Sequence, residues 1–283
     1  NIAQQQDIQL RTQGILPVQK LKLLAQAGII QGSRNYPIEE NQFQPNSVDL
    51  RLGEHAYRVR CSFLPEEESV DKKTDKLKQY DFSIADGAIL EPNCVYIIPL
   101  LERLDLPKGD YSTQSNLFEK EDRKNTEIQL QTEYPLTAKT NPKSTTGRLD
   151  IFTRVITDYS HRFEEIQTGY EGKLYLEVVP KSFPVRVKTG HSLNQLRIRH
   201  GYSRLSDQDI LRLHGNEPLL FSSDGKPLSM QDVKVRNGLF MSVNLQGGKD
   251  NIVGYKARKH RELIDLDQIN HYPVRDYWEP IYA

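Results

Sequence analysis

Short runs of β-forming residues, separated by turn formers, occupy most of the chain and constrain its fold class more than any other feature. They are rich in Val, Ile, Leu, Tyr and Phe. Many short strands at modest spacing predict a mainly β fold, a barrel or a sandwich. No helical pattern alternates with them before residue 205, which argues against a doubly wound α/β sheet. The runs are SVDLRLG, HAYRVRCSF, CVYIIPLLERL, LDIFTRVI, KLYLEVV, FPVRVKTG, LNQLRIR and LFMSVNL.

Two segments have helical spacing. LPVQKLKLLAQAGII predicts an amphipathic N-terminal helix with Pro17 in its first turn and Gly28 at its end, after a loose polar arm of about a dozen residues. LSDQDILRLHG predicts a second helix within a separate C-terminal region. Between the strands, PEEESVDKKTDKLKQ predicts a solvated charged loop or a short exposed helix.

Charge and targeting signals give no reason to expect a polyanion or membrane partner. Lys plus Arg and Asp plus Glu each number 38, so the chain is neutral overall, and we expect binding neither to nucleic acid nor to a membrane surface. The N-terminus lacks an apolar signal region, and no run of about 18 apolar residues occurs. Cys61 and Cys94 have no metal-ligand spacing, and we expect reduced thiols in or near the core. A cytoplasmic location is expected.

The stretch PKSTTGRLDIF combines three hydroxyl side chains, a glycine and two cations. Ser144, Thr145 or Thr146 could cap a helix start whose free N–H groups attract anions, with Lys143 and Arg148 beside it. A plain helix cap without a ligand explains the same residues. The Walker and dinucleotide-binding patterns, the nucleophile-elbow serine motif and the zinc-deaminase pattern HxE with a later PCxxC are all absent from the sequence.

Glu177 lies in the predicted strand KLYLEVV, on the same face as Lys173, Tyr175 and Val179. Apolar surroundings disfavour an ionised carboxylate, so Glu177 is a candidate general acid–base. The alternative is a glutamate on the solvated face of a half-buried strand.

Four ordered motifs together resemble the dCTP deaminase family of the dUTPase-like superfamily: QPNSVDLRLG, NPKSTTGRLDIF, IQTGYEGKLYLEV and GHSLNQL. GILP, AYRVRCSFLP, CVYIIPLLE, VGYKARKH and WEP extend the resemblance to the longer bacterial members, which contain two tandem dUTPase-like copies. The resemblance implies a dUTPase-like distorted β-barrel with an N-terminal helix and a C-terminal α+β extension. The expected organisation is an arm (1–13), a deaminase domain (14–200) and an extension (201–283), which could start a second copy.

The resemblance also implies an activity and a set of site residues. The expected reaction is hydrolysis of dCTP to dUTP and ammonia, supplying dUMP for thymidylate synthesis, with Glu177 as the catalytic glutamate. Ser144 and Arg148 would position the reacting water and the base, and QPNSVDLRLG, through Asn46 and Asp49, would organise the fold. The implied substrate-binding residues are Lys143, Ser144, Thr145, Thr146, Gly147, Arg148, Gln167, Tyr175, Leu176 and Gln195.

Cofactor and assembly expectations follow from the same resemblance. Mg²⁺ would accompany the triphosphate and no zinc would be needed, because one carboxylate can accept and return the proton. A homotrimer with active sites at subunit borders is expected. A dUTPase or a bifunctional enzyme is the enzymatic alternative, but Gln167 replaces the Asp that acts as the base in dUTPases and so weakens it; a non-catalytic nucleotide-binding module is another alternative. The insertions SNLFEKEDRKNTEIQLQTEYPL and YSHRFEE are expected near the pocket rim.

Overall fold

The structure is a computed structural model that describes residues 8–108, 130–248 and 250–283. Most of the insertion predicted at 115–136 lies outside the described residues. The helices are α1 (Val18–Gln26), α2 (Val70–Leu77), α3 (Ser144–Arg148), α4 (Asp207–Asn216) and α5 (Val274–Tyr277), with a 3₁₀ turn at Glu40–Gln42. The first strands are β1 (Ile8–Leu10), β2 (Gly14–Ile15), β3 (Ile30–Gln31), β4 (Phe43–Gln44), β5 (Ser47–Arg51), β6 (His55–Val59), β7 (Lys78–Ser83), β8 (Ala88–Leu90) and β9 (Val95–Asp105). The later strands are β10 (Leu130–Thr132), β11 (Leu136–Pro142), β12 (Ile151–Ile156), β13 (Glu165–Ile166), β14 (Glu171–Pro180), β15 (Val185–Val187), β16 (Ser192–His200), β17 (Ile252–Ala257), β18 (Ile264–Asp265) and β19 (Trp278–Tyr282).

Two antiparallel six-stranded sheets form the main part of the fold, so the mainly β prediction is confirmed. The β16 sheet has the order β13-β11-β16-β5-β4, with β2 also paired to β16. The β14 sheet has the order β12-β14-β9-β6-β7, with β3 also paired to β9. Inward-facing residues of both sheets, such as Leu50 and Leu196 of the first and Ile98 and Leu176 of the second, belong to one buried apolar core.

A second, smaller apolar cluster covers the other face of the β14 sheet. It contains Val59, Ile97, Ile156 and Tyr175, together with Phe63 and Val70 from outside the sheet. Val70 is the first residue of α2, whose N-cap is Ser69. The charged segment PEEESVDKKTDKLKQ therefore forms a helix with a buried face, because the side chains of Val70 and Thr74 are buried. As a result β14 is buried on both faces from Leu174 onward.

Helix α1 matches its sequence signals closely. Pro17 is the N-cap and not the first helical residue, so the helix begins one residue later than predicted. Leu21 and Leu24 form its buried face. Gly28 ends the helix with a left-handed φ of 68°, and the next residue, Ile29, donates its N–H to the carbonyl of Leu24. Glycine reaches that backbone conformation without the steric penalty of a Cβ, which explains the stop.

Arg51 and Glu102 form a buried charge network on the side of β5 that faces away from the core. Arg51 Nε donates to Glu102 Oε1 at 2.8 Å, and the Arg51 backbone N–H donates to Glu102 Oε2 at 2.7 Å. Gln42 donates to both Glu102 and the Asp49 carbonyl. Burial raises the pKa of Glu102, while the bonds from Arg51 oppose that rise. The network joins β5 to β9, so part of QPNSVDLRLG does organise the fold.

The chain divides into two compact units. The first comprises the described residues up to Tyr202 together with Ala257–Tyr277, and the second comprises Ser203–Lys256 and Trp278–Ala283. Segment 257–277 groups with the first unit through β18, which pairs with β15. The break after Tyr202 lies close to the expected boundary at residue 200. The start of a second dUTPase-like copy in 201–283 stays a prediction.

The second unit contains α4 and the strand pair β17–β19. The Ser206 hydroxyl caps α4 by accepting from the Asp209 N–H, as LSDQDILRLHG predicts for a helix start. The strand predicted for LFMSVNL was wrong. Residues 240–244 have no strand structure, and an Asn244 turn follows, in which the Asn244 side chain accepts from the Gln246 N–H. These apolar side chains are exposed, so the β-forming composition of the run gave a misleading signal.

Candidate active site

Helix α3 and the residue before it place most of the predicted substrate-binding residues on one short turn. Lys143 is the N-cap residue, and neither it nor the hydroxyls make a side-chain cap bond. The buried Thr146 hydroxyl instead donates to the Leu193 carbonyl at 2.8 Å, which attaches α3 to β16. A Cβ added at Gly147 would meet no protein atom within 4 Å. The rest of the turn, namely Ser144, Thr145, Gly147 and Arg148, is exposed.

Lys143 belongs to a polar cluster on the face of the β16 sheet opposite the core. Its ammonium lies 2.5 Å from Asp49 Oδ2, and Asp49 is the cross-strand partner of Gln195. Ser47 donates to Gln195 Oε1 at 2.8 Å. The other Asp49 oxygen is buried without a hydrogen-bond partner among the described residues. We call Lys143, Asp49, Gln195 and Ser47 the Lys143 cluster; it joins two predicted substrate contacts to the motif QPNSVDLRLG.

Glu177 forms a second cluster, on the outer face of the β14 sheet. Its side chain is 1% exposed, so the alternative of a solvated glutamate was wrong. Arg154 of β12 lies directly opposite Glu177 in the antiparallel register. Both Nε (3.1 Å) and Nη2 (2.9 Å) of Arg154 contact Glu177 Oε1. Glu177 Oε2 is buried and has no hydrogen-bond partner among the described residues. The Arg148 side chain makes no hydrogen bond or ion pair with any residue that the structure describes.

Three further predicted contacts differ in their exposure. Tyr175 is buried in the second apolar cluster, and burial raises the pKa of its hydroxyl far above the ordinary value. Leu176 is fully buried in the main core. Gln167 is exposed in the turn between β13 and β14, where its carbonyl accepts from the Tyr170 N–H. Contact of these residues with a nucleotide stays a prediction, and for Tyr175 and Leu176 it requires an approach to side chains that this chain encloses.

Comparisons with known proteins identify the family. The model of the 2′-deoxycytidine 5′-triphosphate deaminase N-terminal domain matches residues 12–118 and 125–202, and the model of the C-terminal domain of the same family matches 206–283. The chain belongs to the dCTP deaminase family. Proteins of this family are hydrolases named for the deamination of dCTP.

Two named dCTP deaminases are similar to this chain. The crystal structure of 2′-deoxycytidine 5′-triphosphate deaminase from Agrobacterium tumefaciens superposes with a TM-score of 0.78 at 36% identity, over 96% of this chain and 71% of that chain. The dCTP deaminase of Ignicoccus hospitalis is 24% identical over 156 residues, which are 54% of this chain and 67% of that protein. The expected dUTPase-like fold is thereby confirmed.

Arg154 is a residue of the candidate site that the sequence did not predict. The sequence predicted Arg148, and not Arg154, as the arginine of the site. The alternation of LDIFTRVI places Phe152, Arg154 and Ile156 on one face of a strand. The register of β12 against β14, which brings Arg154 opposite Glu177, depends on pairing across a segment of about 20 residues and could not be read from either strand alone.

Among the described residues, no group of three or more His, Cys, Asp or Glu is placed to hold a metal ion. No helix in the part of the chain that the structure describes is both long and apolar enough to cross a membrane.

Proposed function

We propose that this chain hydrolyses dCTP to dUTP and ammonia, with Glu177 as the group that activates the water. The observation that carries the proposal is the state of the Glu177 carboxylate in a dCTP deaminase family member. One oxygen is held by Arg154, and the other is buried without a partner among the described residues. A buried oxygen that keeps a free lone pair can accept a proton from a bound water.

The reaction needs one carboxylate and one water. Water loses a proton to Glu177 while its oxygen bonds to C4 of the cytosine ring, forming a tetrahedral centre. The C4–N4 bond then breaks as the proton held by Glu177 goes to the leaving nitrogen, so that ammonia departs. The proton that stayed on the C4 oxygen moves to N3, and the ring becomes uracil. The same carboxylate ends the cycle ionised. No zinc is required for these steps, and Mg²⁺ enters as part of the substrate, bound to the triphosphate.

The residues of α3 supply the remaining contacts in this proposal. Lys143, Ser144 and Thr145 bind the phosphates, while Ser144 and Arg148 position the base and its water. Their exposure supports this assignment, because a charged ligand can reach them from solvent. It also leaves them open to a neighbouring subunit, and we place the active sites at the borders of a homotrimer. The dUTP produced supplies dUMP for thymidylate synthesis.

Product analysis of the purified chain tests the function directly. With dCTP and Mg²⁺ we expect dUTP and ammonia in equal amounts, measured by chromatography and an ammonia assay. With dUTP and Mg²⁺ we expect no pyrophosphate. Pyrophosphate from dUTP would instead support the dUTPase or bifunctional alternative, and binding of dCTP without any product would support a non-catalytic module. Light scattering of the same sample gives the oligomer mass, for which a trimer is expected.

Lys143→Ala is expected to raise the KM for dCTP by about 10- to 100-fold with a smaller change in kcat, since one charge-assisted hydrogen bond contributes about 1.5–3 kcal/mol. The measurement is steady-state kinetics together with thermal unfolding, because the change also leaves Asp49 without its cation. Lys139→Ala is the matched control: Lys139 lies on β11, close to Lys143 in sequence, but is exposed and loosely paired with Glu165 at 3.7 Å. An unchanged KM for folded Lys143→Ala would contradict the phosphate role.

A further inference from the structure

Arg154 contacts only one of the two carboxylate oxygens of Glu177. Both of its short contacts, from Nε at 3.1 Å and Nη2 at 2.9 Å, go to Oε1. None goes to Oε2, which has no hydrogen-bond partner among the described residues. An oxygen that accepts a hydrogen bond from a guanidinium and lies against its charge is a poor proton acceptor. The pair therefore leaves Oε2 as the basic oxygen of Glu177.

Other residues hold the Arg154 guanidinium in place. Its Nη2 donates to the Ser62 hydroxyl at 2.6 Å. The guanidinium carbon lies 3.5 Å from the centroid of the Phe163 ring and 5.0 Å from that of Phe152. Stacking on aromatic faces favours a cation and restricts its rotation. Phe163 comes from the insertion YSHRFEE, so this insertion helps to fix the cation beside Glu177.

We propose that Arg154 is a positioning residue that keeps Glu177 ionised and directs Oε2 toward the reacting water. This inference rests on the proposed function, in which Glu177 is the base. A carboxylate that is 1% exposed and has no counter-charge would take up a proton and could not accept one from water. With Arg154 in place, the proton from water goes to Oε2 and returns from Oε2 to the leaving nitrogen, while Oε1 stays bound to the guanidinium.

Several strands and the loop after β12 pack around the Arg154–Glu177 pair. On β14 the neighbour is Tyr175, on β9 it is Ile97, and on β6 it is Tyr57. From the loop after β12, Glu164 is close enough for Arg154 to act on its charge, and burial raises the pKa of Glu164. Arg154 therefore acts on the charge of Glu164, and Glu164→Gln identifies the contribution of Glu164 to any pH dependence.

Two substitutions of Arg154 separate charge from geometry. For Arg154→Gln we expect kcat to fall by about 10²-fold at neutral pH, the KM for dCTP to change little, and the acid limb of the pH–rate profile to move to higher pH by about one unit. Arg154→Lys keeps the positive charge but loses the paired contacts of Nε and Nη2 with Glu177 Oε1. We expect a kcat loss of about tenfold with the acid limb unmoved. Arg162 is an exposed arginine in the loop after β12, and Arg162→Gln is expected to match the parent chain in kcat and in its pH–rate profile.

A titration without turnover makes the test independent of the proposed function. Infrared difference spectra of Arg154→Gln against Arg154→Gln/Glu177→Gln report protonation of the Glu177 carboxyl directly. We expect protonation at higher pH than in the parent chain, and the same result in the Glu164→Gln background. An unmoved carboxyl titration together with kcat within about threefold of the parent would overturn the role of Arg154. Full activity of Glu177→Gln would instead overturn the proposed base while leaving the titration result intact.

Discussion

Glu177→Gln is expected to lower kcat for dCTP deamination by about 10³-fold, the middle of the range for removal of a general acid–base. The substitution is close to isosteric, and the amide oxygen can still accept the bonds that Arg154 now makes to Oε1. The amide nitrogen that replaces Oε2 cannot take a proton from water. Fold and substrate binding should therefore persist while chemistry stops, and steady-state kinetics with calorimetric dCTP binding measures both.

Glu171→Gln is the matched control for this experiment. Glu171 is exposed at the start of the same strand, β14, and belongs to neither polar cluster. It should keep kcat and KM within about twofold, as surface substitutions away from special features usually have small effects. Undiminished release of ammonia by folded Glu177→Gln would exclude Glu177 as the base.

The sequence was sufficient where short-range patterns determine the structure. Period-two alternation placed Tyr175 and Glu177 on one face of β14, and the structure has both on the outer face of that sheet. Pro17 and Gly28 bracket α1 within one residue of the prediction. Both results rest on local backbone geometry, which neighbouring residues determine.

Long-range pairing determined what could not be predicted. The outer face of the β14 sheet is covered in part by α2, far earlier in the chain, which contributes Val70 to the cluster that contains Tyr175. Arg154 reaches Glu177 through strand register, and Phe163 reaches Arg154 from an insertion that the sequence suggested only as part of a pocket rim. Nothing in a single sequence specifies which distant charge neutralises which, since ion pairs depend on tertiary geometry.

The ion pair of Arg51 with Glu102 could not be predicted from the sequence either. Among the substitutions proposed, loss of Arg51 is expected to have the largest effect on stability. Arg51→Met should lower the free energy of unfolding by about 3–5 kcal/mol at neutral pH, because removing one partner of a buried pair leaves the other charge uncompensated. The Arg51 side chain is 6% exposed and that of Glu102 is 0% exposed. The guanidinium also donates to Glu39 and to the carbonyls of Tyr36 and Pro37. Urea unfolding measures the loss, and Arg162→Met, at an exposed ion pair, should cost at most about 1 kcal/mol.

The pH dependence of the Arg51→Met effect distinguishes loss of charge compensation from loss of packing. Burial already raises the pKa of Glu102 above its ordinary 4.5, and removing the Arg51 guanidinium should raise that pKa further. A carboxyl with a raised folded-state pKa contributes stability that is present below the unfolded pKa and is lost as pH rises through the folded pKa. The stability difference between Arg51→Met and the parent chain should therefore be small near pH 5 and widen toward pH 8. A difference that stays constant over this range would assign the loss to packing of the arginine stem instead of to the charge on Glu102.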